Sequence, residues 1–129
     1  MLKSKLITLM AFLILIGESS AQPVDSLTVK TDKFLKNYVN SGLVDYSLVK
    51  SNMNELNELL NLYQQTKLDE INQRKAILIN FYNLGVIKLL DNNYPVSSPR
   101  EISGFYDKKF LVYNGVQLSL NDIENNIIR

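Results

Sequence analysis

Residues 76–90 read AILINFYNLGVIKLL, with Asn80, Asn83 and Lys88 the only polar interruptions after Ala76. A helix apolar on nearly every side is surrounded by protein, so this stretch predicts the central helix of the fold, running from about Asn72 to Asn93. Tyr94-Pro95 stops it, because the residue before proline disfavours helical backbone. Gly85 costs about 1 kcal/mol against alanine unless a neighbour comes close. Close helix packing is the expected reason for it.

Upstream, Ser26 to Val39 sets Leu27, Phe34, Leu35, Tyr38 and Val39 at helical spacing, with Lys30, Lys33 and Lys36 on the other side. That is an amphipathic helix. Asn40-Ser41-Gly42 ends it through a left-handed C-cap, and Leu43-Val44-Asp45-Tyr46 reads as a short extended link. A second helix from Ser51 or Asn52 to about Gln65 carries a seam of Met53, Leu56, Leu60 and Tyr63. Under two heptads cannot sustain a coiled coil, so ordinary core packing is expected.

Downstream, Ser98 caps a helical turn, Pro99 takes its first position, Glu101 completes a capping box and Gly104 ends it. Lys109–Tyr113 and Val116–Leu118 flank Asn114-Gly115, a strong hairpin signal because both turn positions need positive φ. Pairing across that turn puts Leu111, Tyr113, Val116 and Leu118 on one face, toward the helices. In LSLNDIENNIIR, Ser119 or Asn121 caps a short helix, Glu124 is placed to close an Asn121 capping box, and Ile123, Ile127 and Ile128 seek a core. The predicted fold is α+β and mainly helical: three main helices, one β-hairpin and a short C-terminal helix in a single domain over residues 22–129.

Residues 1–21 have the layout of a secretory signal peptide: Lys3 and Lys5, an apolar run from Leu6 to Ile16, then Ser19 and Ala21 at the two small positions. The run is short for a bilayer span, which needs about 20 residues, so a retained membrane anchor is the lesser alternative. Cleavage after Ala21 would leave 108 of the 129 residues with twelve basic and twelve acidic side chains, a formal charge of zero. The expected location is periplasmic or secreted. With no basic cluster, the mature chain lacks an electrostatic footprint for nucleic acid and the basic stripe of a membrane-surface helix.

Histidine and cysteine are absent from all 129 residues, which removes the commonest general base and metal ligand and any disulfide. No metal or cofactor is expected, since a calcium loop and a glycine-rich phosphate loop are also missing. Ser47-Leu48-Val49-Lys50 matches the S-x-x-K pattern of serine acylases, but its companion elements are absent and both residues read as surface. Asp122 and Glu124 point to different faces of a helix, while Glu55 and Glu58 share a solvated one. Asn80 and Asn83, three apart, project from one face of the central helix, with Asp91 close to Asn80 in helical angle. A buried carboxamide without partners costs roughly 1–3 kcal/mol, so these residues either knit the core or line a polar pocket.

From Val44-Asp45-Tyr46 onward, and densely from Ile79 to Arg129, the chain resembles the family catalogued as domain of unknown function 547. The stretches that carry the resemblance are INFYNLGVIKLLDNNYP, SPREISGF, KKFLVYNGVQLSLNDIENNIIR and, upstream, GLVDY. The resemblance implies a family pattern that includes Asn80, Asn83 and the Asp122-Ile123-Glu124 run, and that continues with a His-Phe-Ala-Leu and a Ser-Cys-Pro segment. It also departs at Asn125, where members often carry histidine. The expectation is therefore an incomplete domain, without catalytic activity alone, in which Asn80, Asn83 and Glu124 form a polar wall, with hydrogen-bond struts as the alternative. By analogy with thiol hydrolases, a remnant of such an enzyme is one alternative function. The other is a binding module whose hairpin face and C-terminal helix, with Ile127 and Ile128, accept a partner chain.

Overall fold

The computed structural model describes residues 3–5, 23–67 and 71–125. Along α1 (Pro23–Tyr38), Leu27, Thr31, Phe34 and Tyr38 recur at helical spacing and are buried in one stripe. Thr31 belongs to that stripe because its polar group is fully used. Its hydroxyl donates to the Leu27 carbonyl at 2.8 Å and accepts from the Tyr63 hydroxyl at 2.6 Å.

The expected extended link is one strand of a small sheet. β2 (Val39–Asn40) turns through Ser41 and Gly42, at φ +52° and +75°, into β3 (Leu43–Asp45), pairing Val39 with Val44 and Asn40 with Leu43. β1 (Lys3–Lys5) lies antiparallel on the other edge of β3. The remainder of the predicted leader, including the Leu6–Ile16 run and the Ala21 cleavage point, lies outside the described residues.

A further helix, α2 (Tyr46–Ser51), precedes the expected second one. Asp45 caps it: Oδ1 accepts from the Leu48 amide at 3.1 Å and from the Ser47 hydroxyl at 2.7 Å. Six residues hold too little periodicity to announce a helix, so only the cap could have betrayed it. α3 (Met53–Gln65) buries Leu56, Leu59, Leu60 and Tyr63, and half-buried Met53 packs at the edge of the core.

α4 (Ile71–Asn92) is the central helix. From Ala76 to Asp91 every residue is buried except half-buried Ile79 and Lys88. Each large apolar side chain enclosed in this way contributes roughly 1.5–3 kcal/mol relative to exposure. α1 packs on α3, and α2, α3 and the C-terminal elements surround α4. Gly85 marks the tightest approach: a Cβ there would lie 2.6 Å from Leu111 Cδ1 and 3.3 Å from Leu120 Cδ2. The expected helix contact is therefore mainly a strand contact, since Leu111 belongs to the hairpin.

Beyond α4, Pro99–Glu101 forms one 3₁₀ turn. Ser98 Oγ accepts from the Arg100 amide at 3.2 Å, whereas Glu101 reaches back to the Ser97 amide at 3.3 Å, one residue before the expected partner. β4 (Leu111–Tyr113) and β5 (Val116–Leu118) pair in the expected register across Asn114-Gly115, both at positive φ. α5 (Leu120–Ile123) follows with Leu120 and Ile123 buried. Its capping box is built by Ser119 and Asp122, not Asn121 and Glu124: Ser119 Oγ accepts from the Asp122 amide at 3.1 Å, and Asp122 Oδ2 accepts from the Ser119 amide at 2.8 Å. Asn121 instead ties the helix to the preceding loop, its backbone amide donating to the Tyr106 carbonyl and its side chain to Asp107. Ile127 and Ile128 lie outside the described residues. Among the described residues no helix is long and apolar enough to cross a membrane.

Candidate functional site

α4 carries polar side chains into the interior because its apolar surround continues past them. Asn80 is 7% exposed and Asn83 1%. Asn80 Oδ1 and both polar atoms of the Asn83 carboxamide have no hydrogen-bond partner among the described residues. Each such group costs roughly 1–3 kcal/mol when left unmade. A strut needs hydrogen bonds at both ends, and Asn83 makes none.

Glu124 sits half-buried just past α5, its backbone amide bonded to the Asn121 and Leu120 carbonyls. Its charge is felt at Tyr82, whose phenol is pushed up to about 12, by burial first, then by Glu124 and Tyr106. Tyr82 is about 100° around the helix from Asn83. The two asparagines thus share a face, while Glu124 comes to α4 beside Tyr82. Neither Asn80 nor Glu124 hydrogen-bonds the Asn83 carboxamide.

A second polar group closes the C-terminal end of α4. Asp91 is 1% exposed, and neither carboxylate oxygen has a hydrogen-bond partner among the described residues. The Tyr46 hydroxyl, on the buried face of α2, is equally unpartnered. Burial raises the Asp91 carboxyl above the usual aspartate range, against the opposing charges of Lys50 and Lys88. The Tyr46 phenol is driven up as well, by burial and then by the Asp91 charge. Tyr94 stacks on Tyr46 with ring centroids 5.9 Å apart, and Lys50 Nζ stands 6.0 Å from the Tyr94 centroid. Lys88 Nζ donates to Asn57 Oδ1 at 2.7 Å and to Met53 Sδ at 3.4 Å. Next to this group, a surface cavity of about 380 Å³ is lined by Lys50, Ser51, Asn52, Met53, Asn54 and Glu55.

Residues 65–129 match the model of the family described as "Protein of unknown function, DUF547". The chain belongs to the DUF547 family. The matched segment runs from the last residue of α3 through α4, the hairpin and α5, so it contains Asn80, Asn83, Asp91 and Glu124. The GLVDY stretch, Tyr46 and Lys50 precede it. No curated protein and no solved structure matches the chain.

The remaining sequence candidates of this DUF547 chain are accounted for locally. Ser47 serves the α2 cap, and exposed Lys50 lies beside Tyr94. Glu55, expected on a solvated face, accepts from the Tyr38 hydroxyl and so ties α3 to α1. Asp122 is held below the usual carboxylate range by its backbone and hydroxyl bonds from Ser119. Among the described residues no three carboxylates converge on a metal-sized space. Asp91 and Tyr46 are the pair that local reasoning missed. Asp91 showed only its helical angle, and Tyr46 showed nothing, because its burial depends on how α2 folds over α4.

Proposed function

We propose that this DUF547 protein is exported and that these 129 residues recognise rather than catalyse, with Asn80, Asn83 and Glu124 as the polar wall of a site. The observation that carries the reading is the Asn83 carboxamide, 1% exposed with donor and acceptor both unused. A carboxamide in that state is complementary to another amide, which offers the same two groups in reverse. Glu124, beside Tyr82, would orient such a group or accept a proton from it. The absence of histidine and cysteine supports a role without chemistry of its own. Export is supported by Lys3, Lys5, the apolar run and Ser19-Ser20-Ala21.

Titrating the isotopically labelled chain with N-acetylated dipeptide amides tests recognition. The Asn83 side-chain resonances should move in the wild type, and Asn83→Leu should show no binding. No movement at millimolar peptide would count against the site. Turnover by the purified chain on a panel of amide and ester substrates would overturn the non-catalytic half. Recovery of the exported protein beginning at any residue other than Gln22 would count against cleavage after Ala21.

A second reading, a partner chain seated on the hairpin face, is favoured by Val116. It is 56% exposed while sharing its face with Leu111, Tyr113 and Leu118. A well-behaved monomer in size-exclusion chromatography at high concentration would argue against it.

A further inference from the structure

We propose that the recognition site on α4 takes the free amino end of a peptide, its ammonium held by the Asp91 carboxylate and the Tyr46 hydroxyl and a later peptide bond held by Asn83 and Asn80. This rests on the amide reading of Asn83 and adds which end of a peptide the site holds.

Asn80, Asn83, Ile87 and Asp91 follow one another at steps of three, four and four residues, so they form one stripe along α4. Among the described residues, six buried side-chain polar atoms have no hydrogen-bond partner, and five of them belong to this stripe: Asn80 Oδ1, both polar atoms of Asn83 and both Asp91 oxygens. The sixth is the Tyr46 hydroxyl. Buried polar groups are nearly always bonded, so their concentration on one helix face points to a ligand that supplies the missing bonds.

The Asp91 end of the stripe suits a cation. A carboxylate only accepts, so its best complement is a donor that carries positive charge. The last turn of α4 has no basic residue, Lys88 Nζ is spent on Asn57 and Met53, and Lys50 Nζ stands at the Tyr94 ring without bonding the carboxylate. Tyr94 donates its amide to the Asp91 carbonyl at 3.2 Å and stacks its ring on Tyr46, which brings the unused Tyr46 hydroxyl to this same end of α4. Half-buried Tyr94 is where the group meets the surface. From Asp91 to Asn83 the stripe runs about 12 Å along the helix axis. About three to four residues of extended chain cover that distance. An amino end puts its ammonium and its peptide bonds on one line, as the stripe does, with Ile87 as the apolar wall between them.

The test is a titration of the full chain with tetra-alanine amide, once with a free and once with an acetylated amino end. The free form should bind about tenfold tighter or more, the gain expected of a charge-assisted hydrogen bond. Asp91→Asn should remove that difference, while Asn83→Leu should weaken both forms. Equal affinity of the two forms for the wild type would overturn the amino-end assignment and leave the amide reading in place. An acetylated tetrapeptide amide beginning with lysine that binds as tightly as the free form would overturn it as well. No binding of any of these peptides would remove the amide reading, and this inference with it. Acetylation changes the ligand and not the protein, so the comparison holds even if Asp91→Asn fails to fold.

Discussion

Two aspartates mark the contrast between α4 and α5. Asp122, at the start of α5, accepts from the Ser119 amide and sits within a closed capping box. Asp91, near the end of α4, is as deeply enclosed as any core leucine and has no hydrogen bond to either oxygen among the described residues. The first carboxyl is held below its ordinary range by its bonds, and the second is pushed above it by burial. Polar groups in α5 are spent on holding the chain in place. Asn83 and Asp91 of α4 are desolvated and unspent, so they are better placed to respond to a ligand or a proton than to stabilise the fold.

The largest break in that contrast should come from apolar packing rather than from either aspartate. Leu120 is fully buried over Gly85, and Leu120→Ala should lose about 2–5 kcal/mol in denaturant unfolding, releasing α5 from α4. Asp91→Asn should leave stability at neutral pH unchanged or higher, because a carboxamide in the same place is buried without a charge. The pH dependence follows from the direction of the shift. Between the unfolded value of 3.8 and the higher folded value, the native state binds more protons, so wild-type stability falls as pH rises through that window. Asp91→Asn should abolish that fall. Asp122 carries the opposite slope: its contribution is present above the unfolded value and is lost as pH drops through the lower folded one.

Gly85→Ala sets a helix gain of about 1 kcal/mol against overpacking of about 1–3 kcal/mol by Leu111, and should lose roughly 0–2 kcal/mol net. Ser119→Ala should lose about 1 kcal/mol through its half of the capping box, read as a lower midpoint in thermal or denaturant unfolding.

The legible parts of the fold were those with enough residues to show a period. The α4 run is apolar on all sides and could only be interior, and Asn114-Gly115 set the hairpin register directly. α2 escaped because six residues show too little pattern, and the β2–β3 pairing because two residues beside Ser41-Gly42 do not read as a strand. Ser119 and Asn121 both stood as caps for α5, and only the capping box was misassigned, because Asn121 and Glu124 have the right spacing. Ser119 and Asp122 have it too, and burial of Leu120 and Ile123 decides between them. At the candidate site, the buried asparagines could be read from their place in the run. Whether they were bonded could not, since that depends on what packs against them. Tyr46 lay beyond reach for the same reason.

The measurement closest to the central claim is the unfolding free energy of Asn83→Leu, which keeps the branching of the side chain and removes its polarity. If the carboxamide is unspent, stability should be unchanged or higher, because no hydrogen bond is lost and a desolvation cost disappears. A loss of about 2 kcal/mol or more would contradict it, and would place Asn83 among the bonded struts of the core.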